Sequence, residues 1–566
     1  MAQFTRRTIG GLTWELPAPL CDTLLGPTGL RLGEWLDAGL ATVVKHGPHR
    51  TVYRVALPGL SFYVKHCRLH DTRAWLRELV RPPKARIELQ RAWAVAQHGV
   101  PTIVPLGVGV SASPLRPRES FFLSYALEGT ETVRAFLEST WVNIPEPRRS
   151  WLRQRLAVAL GQFLARMHDA GVVHHDLHPG NLLIRLDADD QPALFLIDLH
   201  AVSFRGPLGP RASRANLVLL NRWFTLRASP SDRLRFWLAY VKARGWKAGP
   251  TPAWRDEANK LEQLTWRSNL RFWRSRDERC LVTNRYYRRV RSAGTVGYVV
   301  SDLDEAIAQQ LTADPDAPFR QPAIRRLKQS RSSTVVEFDV CVAGSWKPAV
   351  YKRFQVTAWS DPWVALLRRP AALRSWVFGH GLRDRALPTP RPLAVWYRRR
   401  WGLWREGYLL CEKVPSARHL GTFLDELARH GEAERRRVVR RLVDQLGRLV
   451  RDLHRRQLSQ RDLKASNILV QERAGGDQLA LWLIDLVGIR RYGNLPRNRR
   501  VQNLARLHAS FVHHPFVSRT DKLRFLRAYL QWGLRGRAGW KWWWRQIEAA
   551  TLAKLAKNAR SGRPVS

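Results

Sequence analysis

The sequence predicts an α+β protein built from two tandem bilobal domains, each a small strand-rich lobe followed by a helical lobe. One string recurs half a chain apart: HHDLHPGNLLI from His174 to Ile184 and QRDLKASNILV from Gln460 to Val470. It is followed by LFLIDLH ending at His200 and LWLIDLVG ending at Gly488. The repeat keeps its register over the whole half. Lys65 and Lys352, Pro101 and Pro388, Asp198 and Asp485, and Asn216 and Asn503 are each 287 residues apart; His168 and His454, Asp176 and Asp462, and Asn181 and Asn467 are 286 apart. A common offset with one residue of slippage marks duplication of a whole domain, because motifs that arise independently share no offset. In each half, finally, apolar period-2 segments come before segments of helical period.

The first half opens this pattern with TVYRV, a turn at Pro58-Gly59 and SFYVK ending in Lys65, which predict a hairpin over about 41–66. RIELQRAWAVAQHGV predicts a helix, broken at Pro101, and VPLGVG and FFLSYAL predict strands. RSWLRQRLAVALGQFLARMHDAGV has helical periodicity and runs straight into the loop at His174. In the second half STVVEFDVCVAGSWKPAVYKRF predicts a hairpin carrying Lys352. LPTPRPLAVW mirrors VPTIVPLGVG, and RRRVVRRLVDQLGRLVRDLHRRQL repeats the long helix. Downstream, SDRLRFWLAYV matches TDKLRFLRAYL, and both halves end in basic, Trp-rich helical segments around Trp254 and Trp544. The junction is expected near residue 277, giving domains 1–277 and 278–566.

A chain of 566 residues with 45% hydrophobic content, 25 Trp and 19 Phe has ample core material for two such domains and excludes wholesale disorder. The five cysteines are scattered without a CxxC pair, so they read as reduced thiols and not as a zinc site. No stretch approaches the roughly 20 apolar residues that span a bilayer, and MAQFTRRTIGGLTWELPAPL lacks the apolar core of a secretory signal; a cytoplasmic protein is expected. The net charge of +48, from 95 basic and 47 acidic residues, arises partly from a preference for Arg over Lys in a chain with only two Met, the bias of a high-GC genome. The remainder predicts an anionic partner, either a membrane surface or an anionic glycolipid. No zinc-finger or RRM signature is present, so nucleic acid is not the expected partner.

The repeated residues carry a specific chemistry. In-line transfer of a phosphoryl group needs positioning and charge neutralisation more than covalent participation. Asp176 and Asp462 are placed to accept the proton of an attacking hydroxyl. Asn181 with Asp198, and Asn467 with Asp485, offer the hard oxygen donors that suit magnesium, and Lys65 and Lys352 offer ammonium groups for phosphate oxygens. Glu88, on the helix after the Lys65 strand, is placed to fix that lysine by an ion pair. Each element alone is commonplace, since an Asp with an Asn five residues later, a strand-terminal Lys or a helical Glu has many structural uses. Their ordered recurrence is what is specific.

A phosphate-covering loop is the weakest element. KHGPHRTVY offers only Gly47 and KQSRSSTVV offers no glycine, so the backbone amides around Ser332, Ser333 and Thr334 are the alternative phosphate contacts. His174 and His175 precede Asp176 as braces of the loop, and His178 and His200 read as packing neighbours of the site.

The order Lys65, Glu88-Leu89, VPT, Leu164 to His168, HHDLHPGN and especially LIDLHA resembles the bacterial lipopolysaccharide core kinase family of heptose and 3-deoxy-octulosonate kinases. SRANLVLLN, with Asn216 and Leu217, resembles that family's helix after the metal-binding Asp. The likeness covers roughly residues 40–240 and 325–530. It implies a protein-kinase-like fold, ATP with Mg2+, and a hydroxyl acceptor on a membrane glycolipid sugar reached from the inner face of the cytoplasmic membrane. DLHPGN is also similar to aminoglycoside and choline phosphotransferases, which leaves the acceptor open to small molecules and protein side chains.

The second copy departs from the pattern. Ser375 stands at the offset of Glu88, Gln460 replaces the bracing His, and Val487-Gly488 replaces His200-Ala201. The first copy is therefore expected to be the better kinase and the second a slower kinase or a nucleotide-binding regulator. The competing reading is a tandem pseudokinase scaffold, which the missing glycine-rich loop and Ser375 favour and the retained acidic residues oppose.

Overall fold

Alternation decides the first lobe. Along the strands Arg50–Leu57 and Leu60–Arg68, the cross-strand pairs Thr51 with His66, Tyr53 with Val64 and Val55 with Phe62 point to one face and are buried. Lys65, opposite Val52 and Phe122, consequently issues from the other face. The structure, a computed structural model, describes residues 4–47, 50–68, 82–113, 119–246, 252–292, 294–355, 369–400, 403–472, 479–530 and 539–560. It divides into two compact units, Met1–Asn269 and Leu270–Ser566.

The first unit opens with a seven-stranded antiparallel sheet. Its order is Phe4–Ile9, Leu12–Pro17, Pro105–Ser111, Glu119–Tyr125, Leu60–Arg68, Arg50–Leu57, Ala41–Lys45. Two of these strands, Phe4–Ile9 and Leu12–Pro17, are absent from the sequence reading, and Ala41–Lys45, exposed at nearly every residue, falls within the stretch read as one hairpin. LTWELP does alternate apolar and polar residues as a strand does, but the lobe buries nearly every one of them. The N-terminal segment is thus part of the lobe. Trp14, Leu16, Leu24 and Trp35 cover the sheet face that carries Tyr53, Val55, Phe62 and Val64. Gly109 makes room for this cover, since a Cβ there would come within 2.4 Å of the Trp14 ring. Against the opposite face lies the helix Lys84–Gln97, whose buried stripe Ala85, Glu88, Leu89, Ala92 and Val95 follows helical spacing. Glu88 is the one charged member of that stripe.

The helical lobe is organised by Arg148–Asp169, which buries Leu152, Leu156, Leu160, Leu164 and His168 and crosses Pro230–Ala243. Gly161 sets the approach, because a Cβ would meet the Phe236 carbonyl oxygen at 2.6 Å. Two short antiparallel strands, Leu182–Leu186 and Pro192–Leu196, carry the chain from the His174 loop to Asp198.

The second unit repeats this plan. Its sheet runs Tyr287–Ser292, Thr295–Val300, Pro392–Arg400, Leu403–Glu412, Ser345–Phe354, Ser333–Val342, Arg325–Ser330. Gly447 on Glu432–Arg455 repeats Gly161, with its Cβ position 2.7 Å from the Phe525 carbonyl oxygen. Segments around Trp254 and Trp544 form the helices Pro252–Arg276 and Trp540–Arg560. All five cysteines are free, and no helix among the described residues is long and apolar enough to cross a membrane.

The two crossing glycines generate a stability test. Gly161→Leu should cost about 1–3 kcal/mol, read as a lowered denaturation midpoint, because the added side chain meets backbone that cannot yield. Gly33→Ala, in a helix with open space around the added methyl, should leave the midpoint unchanged or slightly raised.

Candidate active site

Sheet, helix and loop converge on Asp198 in the first copy. Lys65 forms an ion pair with Glu88, and both are nearly buried, at 13% and 5% side-chain exposure. Lys65 Nζ also lies 3.8 Å from Asp198 Oδ1. The same oxygen accepts hydrogen bonds from Arg50 Nη1 at 3.0 Å and from His200 Nδ1 at 3.1 Å. Burial works to raise the Asp198 pKa, but the His200 hydrogen bond and the charges of Lys65 and Arg50 outweigh it and hold the carboxyl well below its usual range. Asp198 is therefore a carboxylate at any physiological pH.

Its backbone is left-handed, with φ 62° and ψ 49°. A non-glycine residue there is strained, although Asp tolerates it better than most, and such strain persists only where the surroundings over-determine it. Those surroundings are identifiable. Thr102 of the VPT string donates its hydroxyl to the Leu196 carbonyl at 2.7 Å, Pro101 O accepts the Leu196 amide at 2.9 Å, and Ile197 N donates to Asn181 O at 3.0 Å. On the far side, Arg91 from the Glu88 helix donates to the His200 carbonyl.

Asp176 sits on the rim, with 72% of its side chain exposed against 20% for Asp198. That difference separates a group open to an incoming acceptor from one held inside. Asn181 Nδ2 donates to the Asp176 carbonyl at 2.8 Å and closes the loop on itself. His174 receives the Asp176 amide on Nδ1 and donates from Nε2 to Ile197 O, both at 3.2 Å, so the brace links the two acidic segments. His175 turns away to Ser203. His178 receives the Gly180 amide on Nδ1 and points Nε2 at Asp176 Oδ2, 3.7 Å away. Beneath the loop, His168 donates from Nε2 to Asn216 Oδ1 and accepts from the Tyr240 hydroxyl, while Asn216 Nδ2 donates to the His174 carbonyl at 2.7 Å.

The second copy retains the scaffold and alters the centre. Asp485 is again left-handed, and Thr389 and Pro388 bind Leu483 at 2.7 and 2.9 Å as their counterparts bind Leu196. His454, Asn503 and Tyr529 repeat the buried network. Gln460 takes over the brace, donating to the Asp485 carbonyl at 2.9 Å and receiving the Asp462 amide at 3.5 Å. This requires Gly488, where a Cβ would meet Gln460 Oε1 at 2.3 Å. Asn467 Nδ2 donates to both Asp462 O and Asp462 Oδ2. Ser375 bonds back to Ala371 O within its own helix, and Lys352, with no glutamate to hold it, contacts Asp485 Oδ1 directly at 3.0 Å.

The sequence profile of the lipopolysaccharide kinase (Kdo/WaaP) family matches residues 47–240 and again residues 316–529. The chain belongs to this family, twice over. Among relatives, it is 28% identical to the lipopolysaccharide core heptose(I) kinase WaaP of Pseudomonas aeruginosa over 222 residues, 37% of this chain and 80% of that one. It is 30% identical to the 3-deoxy-D-manno-octulosonic acid kinase of Vibrio cholerae over 149 residues, 26% of this chain and 56% of that one, so it spans little more than half of that relative. A solved structure of WaaP in complex with acyl carrier protein aligns with 40% of this chain and 91% of its own at 26% identity and a TM-score of 0.29. The fold is two bilobal domains in tandem, each a strand-rich lobe followed by a helical lobe.

With this lipopolysaccharide kinase frame, the structure gathers Lys65, Glu88 and Asp198 into one cluster, and it gathers Lys352 with Asp485. Asp176 and Asp462 each lie beside their Asn, Asn181 and Asn467. The ligand atoms of Glu88, Asp198 and His200 lie within 4.8 Å of one another, and the two carboxylates among them are hard oxygen donors of the kind that fits magnesium. Among the described residues no comparable group surrounds Asp485. The Gly47 carbonyl accepts the Arg50 amide at 3.4 Å. In the second copy the Ser333 amide, expected to be available for phosphate, already donates to Ser330 Oγ at 3.2 Å. The sequence reading missed Arg50, the Thr102 lock and the roles of His168 and Asn216. The shared offsets of His168 and Asn216 were the available signal for the last two.

Burial lowers His168 to a pKa of about 4 and His454 to about 3, from an ordinary 6.5. Both are neutral when folded and take up protons first when unfolded, so their contribution to stability is present above about pH 6.5 and fades as pH falls toward 4. Replacing both, His168→Gln with His454→Gln, should flatten the loss of stability between pH 6.5 and 4.5 by up to about 2 kcal/mol per histidine, measured as denaturation midpoints across that range.

Proposed function

We propose that the first copy is an ATP-dependent phosphotransferase that moves the γ-phosphoryl group to a hydroxyl on a lipopolysaccharide-type glycolipid sugar. The observation that carries this reading is one cluster holding a buried lysine-glutamate pair against an ionised Asp198, with an exposed carboxylate, Asp176, at its rim. Asp198 and Asn181 would hold Mg2+, which supplies charge neutralisation on the phosphates. Lys65, steadied by Glu88, would bind phosphate oxygens. Asp176 would accept the proton as the acceptor oxygen bonds to Pγ and the bond from Pγ to the leaving nucleotide oxygen breaks. His178, with its proton on Nε2 facing Asp176, would orient that carboxylate.

The named relatives act on octulosonate and heptose, which supports a sugar acceptor. The +48 charge supports peripheral contact with an anionic membrane surface, and the reading places the protein at the cytoplasmic face of the inner membrane. For the second copy, the direct contact of Lys352 with Asp485 and the loss of the glutamate favour a slow kinase or a nucleotide-binding regulator over a full partner.

ATP turnover with lipopolysaccharide core acceptor and magnesium tests the assignment. Asp176→Ala should lower it by about 10²- to 10⁴-fold, and Asp462→Ala by less than about twofold. Turnover unchanged in both would reject the reading, and loss confined to Asp462→Ala would move the activity to the second copy.

A further inference from the structure

The first copy lacks the glycine-rich turn that lets backbone amides wrap phosphates, since KHGPHRTVY offers Gly47 alone. The residue at the end of that turn is Arg50. It pairs across the sheet with Cys67 while Val52 pairs with Lys65, so Arg50 and Lys65 issue from the same face as diagonal neighbours. Both reach one atom, Asp198 Oδ1, at 3.0 and 3.8 Å, and His200 reaches it too. The three donors differ in their alternatives. Lys65 is held by Glu88, and His200 is tied through its backbone to Arg91. Arg50 has, among the described residues, no ion-pair partner except Asp198.

We propose that Arg50 is a phosphate-binding residue of the first copy, exchanging Asp198 for the phosphates of the nucleotide when a divalent ion takes the Asp198 oxygen. This rests on the phosphotransferase reading above. A divalent ion on that oxygen competes with the guanidinium for it, because the two cations repel at close range. Once displaced, the guanidinium has nearby the kind of anion that its planar fork of donors matches best, a phosphate. It thereby does with a side chain what the missing glycines would have done with amides.

The second copy is an internal comparison. Ser333 pairs with Phe354 there, as Arg50 pairs with Cys67, and so occupies the same register. With neither the arginine nor the glutamate present, Lys352 itself sits on Asp485. Glu88 and Arg50 thus occur together, as do Ser375 and Ser333. In the first copy Glu88 holds the lysine 3.8 Å from its acidic neighbour; in the second the lysine closes to 3.0 Å.

The test uses the full chain with Asp485→Asn in both reference and variant, so that only the first site reports. Calorimetric binding of ATP with magnesium should weaken by about 10- to 100-fold in Arg50→Ala, the loss of a charge-assisted contact. Adenosine affinity should stay within about twofold, and Arg50→Lys should recover part of the ATP affinity. Mn2+ alone, followed by water-proton relaxation, should bind more tightly to Arg50→Ala, because its competitor for Asp198 is gone. A reference protein that binds ATP alongside an Arg50→Ala variant that binds it equally well overturns this inference alone. Equal loss of adenosine and ATP binding also overturns it, since Arg50 would then merely support the fold. A reference protein that binds no ATP overturns the proposed function together with it.

Discussion

One carboxylate organises the first copy. Asp198 is held in a left-handed backbone conformation and partly withdrawn from water, two costs that His200, two residues on, offsets only together with groups from the sheet. Its charge persists because His200 beside it and Lys65 and Arg50, from a hairpin more than 100 residues earlier in the chain, converge on it. Everything else in the lobe is arranged so that these groups meet. The sheet alternation aims Lys65, the buried stripe of the following helix delivers Glu88, and Thr102 clamps the strand that ends at Asp198.

The helical lobe contributes rigidity of a different kind. A histidine kept neutral by burial receives a tyrosine hydroxyl and bonds an asparagine, which in turn holds the backbone of the loop before Asp176. A buried polar chain of this sort is stable only when every member is satisfied. It appears in both copies with nearly the same distances, His168 to Tyr240 and His454 to Tyr529 both at 2.9 Å. The loop scaffold has outlasted the details of the site it supports.

The differences between the copies are coordinated substitutions. Gln460 keeps the bond His174 makes to the catalytic-loop amide, moves the other from the carbonyl of the Ile197 position to that of Asp485, and needs the space that Gly488 provides where Ala201 stands in the first copy. Replacing Glu88 by Ser375 removes the anchor of the lysine, and Lys352 falls onto the acidic residue it would otherwise stand beside. One copy keeps its charges distributed and the other lets them collapse into a single pair. This electrostatic contrast is the physical basis of the division of labour proposed for them.

The sequence by itself determined the duplication and the bilobal order, and it singled out Lys65, Glu88, Asp176, Asn181 and Asp198 as candidates, because these depend on spacing and residue type, which a linear string records. It did not reveal the N-terminal cover of the sheet: LTWELP alternates like a strand, but a lone six-residue pattern does not say which strand it joins, and only the pairing with Pro105–Ser111 buries it on both faces. Nor could it reveal Arg50: an arginine at a turn in a chain with 95 basic residues is indistinguishable from its neighbours until pairing places it on the Lys65 face of the sheet. Tertiary structure alone decided which cations share Asp198, which hydroxyls lock its strand and where Lys352 goes without its glutamate. Each of these depends on distances of a few ångströms between residues up to about 150 positions apart, and no local pattern encodes such distances.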